Sequence, residues 1–224
     1  MTQTEKVLLT WSGRKYSAMD LYEMQRINGY EISCLLTTVT EGYERISMHG
    51  VQSILLEWQA ESLGLPVEKI YIPRSGSNQD YEARMRDKLL KYQSQGVFSV
   101  VFGDIFLEDV RKYREKNLLK IGMEAMFPLW HRDTNELAHI FIDLGFKSII
   151  TCVDSTVLDK EFVGRDFDEQ FLRDLPPDVD PCGENGEFHS FVYDGPIFDK
   201  RISHRKGRVI LRDNRFYFCD LIPT

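Results

Sequence analysis

The sequence predicts an α/β fold, a doubly wound parallel sheet followed by a smaller C-terminal α+β domain. Three observations carry that expectation. From the N-terminus to about residue 130, apolar runs of strand length alternate with segments of helical periodicity, as in successive βαβ units. The runs end in short polar stretches, where a parallel sheet gathers its ligands. Beyond residue 130 the pattern changes, and a proline-rich connection leads into a glycine-rich acidic loop. The expected domains are residues 1–130 and 131–224.

The first unit organises the rest. Val7-Leu8-Leu9 reads as a buried strand, and Ala18, Leu21, Tyr22, Met24 and Ile27 recur at helical spacing. Between them lies Ser12-Gly13-Arg14-Lys15-Tyr16-Ser17. A loop that leaves a strand and opens a helix aims backbone N–H groups at an anion. Ser12 and Ser17 add hydroxyls, Lys15 a cation, and Gly13 a close backbone approach. The expected ligand is phosphate, although neither G-x-x-x-x-G-K-[ST] nor G-x-G-x-x-G occurs.

The following elements are expected in turn. Gly29 stops the first helix, and Tyr30 to Val39 is a second strand whose end carries Thr37 and Thr38, near the same crevice. Gln52 to Leu63 is a helix, preceded by His49, which is either a cap and packing residue or a member of the crevice. Leu65 to Ile72 is a strand, Tyr81 to Gln95 a charged helix, and Gly96 to Phe102 a fourth strand followed by Gly103 and Asp104. Asp104 has two readings, a ligand to Mg²⁺ or ribose and an N-cap for a helix from Phe106 to Glu115. In that helix Arg111 and Arg114 either reach phosphates or pair with Glu108 and Glu115. Gly122 to Trp130 is a fifth, short strand.

In the second part, Thr134 begins a helix with capping-box character, and Gly145 stops it. Phe146 to Val153 is a strand ending in the polar Asp154-Ser155-Thr156. Pro176 to Pro181 is a rigid connection. The loop Gly183, Glu184, Asn185, Gly186, Glu187 precedes a strand from Phe188 to Tyr193, and Arg215 to Leu221 is the last strand.

Composition bounds the classes. The chain has 224 residues, 42% of them hydrophobic and 28% charged, so it can bury a sizeable core. A net charge of −7 argues against a general nucleic-acid face. With no apolar run approaching a membrane span and no signal-peptide core at Met1 to Glu5, a cytoplasmic protein is expected. Cys34, Cys152, Cys182 and Cys219 are scattered without metal-ligand spacing, so neither disulfide nor structural metal is expected.

Recognition adds to this reading. The Ser12–Ser17 loop resembles the PP-loop of ATP pyrophosphatases, S-G-G-x-D-S. The segment Asp180 to Phe198, DPCGENGEFHSFVYDGPIF, is very similar to a signature of the diphthine–ammonia ligase family. The same resemblance covers Arg45 to Val51, Phe102 to Glu115, Pro128 to Trp130 and Ile149 to Asp154, nearly the whole chain. It implies a HUP-type ATP-binding domain and a C-terminal substrate domain. It also implies adenylation of a carboxylate with loss of pyrophosphate, followed by attack of ammonia, with ATP and Mg²⁺ as cofactors. In family members the carboxylate is that of diphthine on elongation factor 2. The C-G-E-N-G-E-F-H variant resembles the bacterial branch, in which the carboxylate-bearing substrate, free or protein-bound, is open.

Carried over by position, the resemblance implies that Ser12, Gly13, Lys15 and Ser17 hold phosphate and that Thr37, Thr38, His49 and Gly103 line the nucleotide crevice. Asp104 would take the metal. Glu184, Asn185, Gly186, Glu187 and His189 would form the substrate side, and Lys15, Asp104 and Glu187 would be catalytic. Glu187 also reads as a structural turn carboxylate. The sequence does not fix the oligomeric state.

Three residues depart from the pattern. Arg14 replaces the second glycine, Tyr16 replaces the aspartate, and Asp20 stands where the family has a small or apolar residue. An arginine there is expected to clash with a backbone position that glycine serves, and a buried carboxylate is expected to be costly. Tyr16 and Asp20, four apart, share a helix face. Such clustering fits a degenerate paralogue or an engineered pocket whose loop no longer supports adenylation.

Overall fold

A computed structural model describes residues 4–42, 45–46, 50–74 and 76–224. The chain divides into two compact units, neither continuous in sequence. The first comprises residues 1–12, 16–44 and 64–131, the second residues 13–15, 45–63 and 132–224.

The first unit is built on a parallel sheet flanked by helices. Its strands are β1 (Glu5–Thr10), β2 (Tyr30–Thr40), β4 (Val67–Ile72), β5 (Ser99–Val101) and β6 (Glu124–Met126); the two-residue β3 is Arg45–Ile46. The parallel order is β4-β2-β1-β5-β6. Val7, Leu8 and Leu9 are fully buried, which is why this stretch reads as a continuous apolar run. The chain proceeds from β1 towards β4 on one side and returns to β5 on the other. The reversal therefore lies between β1 and β5, and the loops after these two strands flank the point where such sheets bind ligands.

Helix α1 (Lys15–Arg26) begins inside the serine-glycine loop and carries no acidic side chain of its own in its first turn, where the positive end of its dipole lies. Helix α3 (Asn78–Gln93) starts three residues earlier than expected, because Ser77 and Asp80 form a reciprocal capping box. Helix α4 (Glu108–Leu119) starts at an N-cap, Leu107, that makes no side-chain bond. The strand expected over Gly96 to Phe102 is shorter, limited to β5, and the one expected over Gly122 to Trp130 is limited to β6.

The second unit carries an antiparallel sheet, order β8-β7-β10-β9, from β7 (Lys147–Asp154), β8 (Phe188–Asp194), β9 (His204–Arg212) and β10 (Phe216–Pro223). It also contains α2 (Ser53–Leu63), α5 (Thr134–Asp143) and α6 (Glu169–Asp174). Its core is aromatic: Phe141 stacks on Phe146 at 4.9 Å, and Phe171 meets Phe188 edge-on at 5.2 Å. Asp133, not Thr134, caps α5 by accepting from the Glu136 N–H, since the Thr134 hydroxyl donates instead to Asp180 at 2.7 Å. The polar end of β7 is closed by local bonds. Asp154 accepts from Arg215 at 2.6 Å and from Thr156 at 2.7 Å, which holds its carboxyl down at about 2.

None of the four cysteines forms a disulfide, and all four are buried. Among the described residues no helix is long and apolar enough to cross a membrane.

Candidate functional site

In the first unit, Ser12 and Ser17 lie together, their hydroxyls 3.2 Å apart. Ser17 is buried in the first turn of α1. Strand β2 pairs with β1 only as far as Leu36, so Thr37 and Thr38 continue beyond the end of β1. Thr37 is buried, and its hydroxyl has no hydrogen-bond partner among the described residues. These are the polar groups that the sheet edge offers.

Gly103 follows β5 and packs against α1. A Cβ there would lie 2.6 Å from Asp20 Oδ2 and 3.1 Å from Tyr16 Cβ, so glycine is required by the closeness of the helix. Tyr16 and Asp20 thus share the face that meets Gly103, but the phenol does not satisfy the carboxyl. Asp20 is fully buried, and neither of its oxygens has a hydrogen-bond partner among the described residues. Burial, reinforced by Asp104 and then Glu23, raises its carboxyl well above the usual carboxylate range.

Asp104 does not cap α4. Its carboxylate is taken by Arg114 at 2.6 Å, because the helix begins four residues later and the arginine returns one and a half turns along it. Arg111 pairs with Glu115 at 2.7 Å, as one of the expected alternatives has it. His49 lies outside the described residues.

In the second unit, Gly13 has φ of 73°, and its carbonyl accepts from the Val192 N–H at 2.9 Å and from Gln59 Nε2 at 3.2 Å. Gln59 is fully buried and donates again to the Val192 carbonyl. A Cβ on Gly13 would meet Gln59 Oε1 and Leu56 Cδ2, both at 2.7 Å. Gly13→Ala is therefore expected to cost about 2–3 kcal/mol, combining a left-handed backbone penalty with a clash against a buried amide. Denaturant unfolding measures it, and a loss below about 0.5 kcal/mol would refute the account.

Arg14 occupies its position without left-handed backbone, contrary to the expectation that only glycine fits; the described non-glycine residues with positive φ are His131, Asp213 and Asn214. Its guanidinium donates to His189 Nδ1 at 2.9 Å. Arginine cannot accept, so the imidazole carries its proton on Nε2. Burial, then Arg14 and Lys15, pushes His189 down to about 3, and the ring is neutral.

Lys15 is buried, with Nζ 4.3 Å from the Phe167 ring centroid and 4.5 Å from that of Phe188. Burial lowers its ammonium to about 8; Arg14 acts in the same direction, while Cys182, Asp180 and Glu184 oppose. Two aromatic faces and an acidic loop keep the cation tolerable.

That loop is organised by Asp180. Its carboxylate accepts from the N–H of Cys182 at 2.8 Å and of Glu184 at 3.2 Å, and its own N–H donates to Glu187 Oε1. Asn185 donates to the same Glu187 oxygen at 3.0 Å, across the turn that Gly186 (φ 89°) permits. Glu187 is buried, and its Oε2 has no hydrogen-bond partner among the described residues. The structure thus brings Lys15, Glu184, Asn185, Gly186, Glu187 and His189 into one unit. Sequence reading missed Asp180, Gln59 and the two phenylalanines. Asp180 and Phe188, both within the matched signature, offered a signal; Gln59 and Phe167 did not.

A parallel sheet with a serine-bearing loop at its reversal point belongs to the class of α/β folds that hold anionic ligands at strand ends. The particular family follows from the sequence. Residues 5–125 match the diphthamide synthase N-terminal domain and residues 133–219 the diphthamide synthase C-terminal domain. The chain belongs to the diphthamide synthase family.

Among its relatives is the diphthine–ammonia ligase of Schizosaccharomyces pombe, 27% identical over 216 residues, covering 88% of this chain and 36% of that protein. The diphthine–ammonia ligase of Bos taurus is 31% identical over 129 residues, 55% of this chain and 48% of the relative. That of Danio rerio is 30% identical over 159 residues, 64% of this chain and 62% of the relative. The chain therefore spans less than two thirds of the length of each.

Proposed function

We propose that this chain is an ATP-dependent amide-forming ligase of the diphthine–ammonia type. Residues 1–130 carry the nucleotide and residues 131–224 the acceptor. The acceptor carboxylate attacks the α-phosphorus of ATP, forming an acyl adenylate and releasing pyrophosphate. Ammonia then attacks the acyl carbon, and AMP leaves.

The observation that carries this reading is the loop from Asp180 to Glu187, an acidic turn held by its own hydrogen bonds in which the buried Glu187 Oε2 has no hydrogen-bond partner among the described residues. An orphaned carboxylate oxygen is costly unless a cation or N–H donor arrives, which is what ammonium or an amine-bearing acceptor supplies. For ATP, the hydroxyls of Ser12 and Ser17, the N–H groups opening α1 and the Thr37 hydroxyl fit the polyphosphate and adenosine. Asp104 is the carboxylate that would hold Mg²⁺, which would supply positive charge to the phosphates, and Arg114, which pairs with Asp104 at 2.6 Å, would be released to an anionic ligand.

A second reading rests on Arg14. Its guanidinium is engaged by His189, and its bulk stands where the PP-loop has glycine, so the chain retains the fold while adenylation is impaired. Calorimetric titration with Mg–ATP, beside an assay for pyrophosphate release with ammonium and a diphthine-bearing protein, separates the two. Ammonium-dependent turnover supports the ligase. Tight binding without turnover supports the impaired fold, and restoration of turnover by Arg14→Gly with Tyr16→Asp assigns the defect to the loop.

A further inference from the structure

The first unit contains a cavity of about 310 Å³ between α3 and α4, whose lining shares only Arg114 with the site proposed above. Its floor is apolar: Met85, Leu89, Phe102 and Leu118 line it, and the last three are core residues. That volume lies at the small end of the range for sites that take small organic molecules, about 300–1,000 Å³.

The polar groups around the cavity are of one dominant sign. Arg86, Arg114 and Lys120 line it, against a single carboxylate, Glu82. This is a local excess of two positive charges on a chain whose net charge is −7. Glu82 is already engaged by the Tyr113 hydroxyl at 2.8 Å, Arg114 by Asp104, and Lys120 by Asn117 at 2.7 Å. Among the described residues Arg86 has no ion-pair partner and the hydroxyl of the half-buried Tyr81 has no hydrogen-bond partner. One cation and one phenol donor therefore remain for a ligand, beside an apolar floor.

From this combination we infer that the cavity binds a small carboxylate with an aromatic or branched apolar body. The apolar body fills the space over Leu89 and Phe102, and the carboxylate accepts from Arg86 and the Tyr81 hydroxyl. A neutral ligand would leave the cation unused. A bare inorganic anion would leave the apolar floor hydrated. The site is distinct from the serine-glycine loop and is expected to fill whether or not ATP binds.

The probe is 3-phenylpropionate, titrated into the full-length isotope-labelled protein by NMR. Saturable shifts of Met85, Leu89, Leu118 and Ile121 resonances, with Kd of about 1 mM or below, are expected. The isosteric 3-phenylpropionamide is expected to bind about tenfold more weakly, and Arg86→Gln to weaken the acid by a similar factor while leaving the amide unchanged. Arg86 is exposed, so this variant folds, and its unperturbed spectrum serves as the control. Equal binding of acid and amide, an unchanged Kd in Arg86→Gln, or absence of shifts at these four residues overturns the inference.

Discussion

Replacing Asp20 by alanine is expected to stabilise the protein by about 1–2 kcal/mol at pH 7, a rise of roughly 2–8 °C in Tm for a chain of this size. The carboxyl is fully buried with neither oxygen hydrogen-bonded among the described residues, so its removal relieves a desolvation cost of about 1–3 kcal/mol, offset in part by the small void left behind. The pH dependence gives a sharper test. Because the folded carboxyl titrates well above 3.8, the native state keeps a proton that the unfolded chain releases from about pH 4 upward. The unfolded state then binds fewer protons than the native one, and Asp20 makes stability fall as pH rises through that window. Asp20→Asn should flatten this decline, and Asp20→Ala should flatten it and raise the whole curve. Urea titrations at several pH values measure both. A lower Tm for the alanine variant, or an undiminished slope in the asparagine variant, would mean that the carboxyl is satisfied in solution.

The parallel sheet was legible because its strands are buried on both faces and therefore appear as uninterrupted apolar runs, such as Val7-Leu8-Leu9. Strand β9 was not read, for the opposite reason. Its sequence, HRKGRVILR, lies at the sheet edge with exposed residues on both faces, so neither burial nor alternation marks it. Capping was legible only in part. The T-N-E-L pattern pointed to Thr134, yet Asp133 has the cap geometry and Thr134 is bonded to a residue 46 positions away. Asp104 shows the same limit, since a carboxylate after a strand reads as a cap until a partner, here Arg114, is placed beside it. The acidic loop was visible as chemistry, but the bonds of Asp180 that shape it depend on how the chain folds back. Arg14 was misjudged because the positive φ of this loop falls on Gly13, one residue earlier.

Lys15→Met separates stability from chemistry at the other buried charge. A fall of the ammonium from 10.5 to about 8 corresponds to about 3 kcal/mol of destabilisation at neutral pH. Methionine has similar length, no charge and a favourable fit against the Phe167 and Phe188 rings, so the variant is expected to gain about 1–3 kcal/mol. The sign can be checked independently. Between about pH 8 and 10.5 the unfolded lysine is protonated while the folded one is not, so the parent protein should become more stable as pH rises through this window. The methionine variant should lack that rise. If Lys15 stabilises charge developing on the phosphate, the same substitution lowers pyrophosphate release by about 10²–10³-fold. A variant more stable yet inactive identifies a cation that the fold keeps at a cost because the reaction requires it. Loss of stability together with full activity would instead assign Lys15 to packing against the aromatic core and remove it from the chemistry.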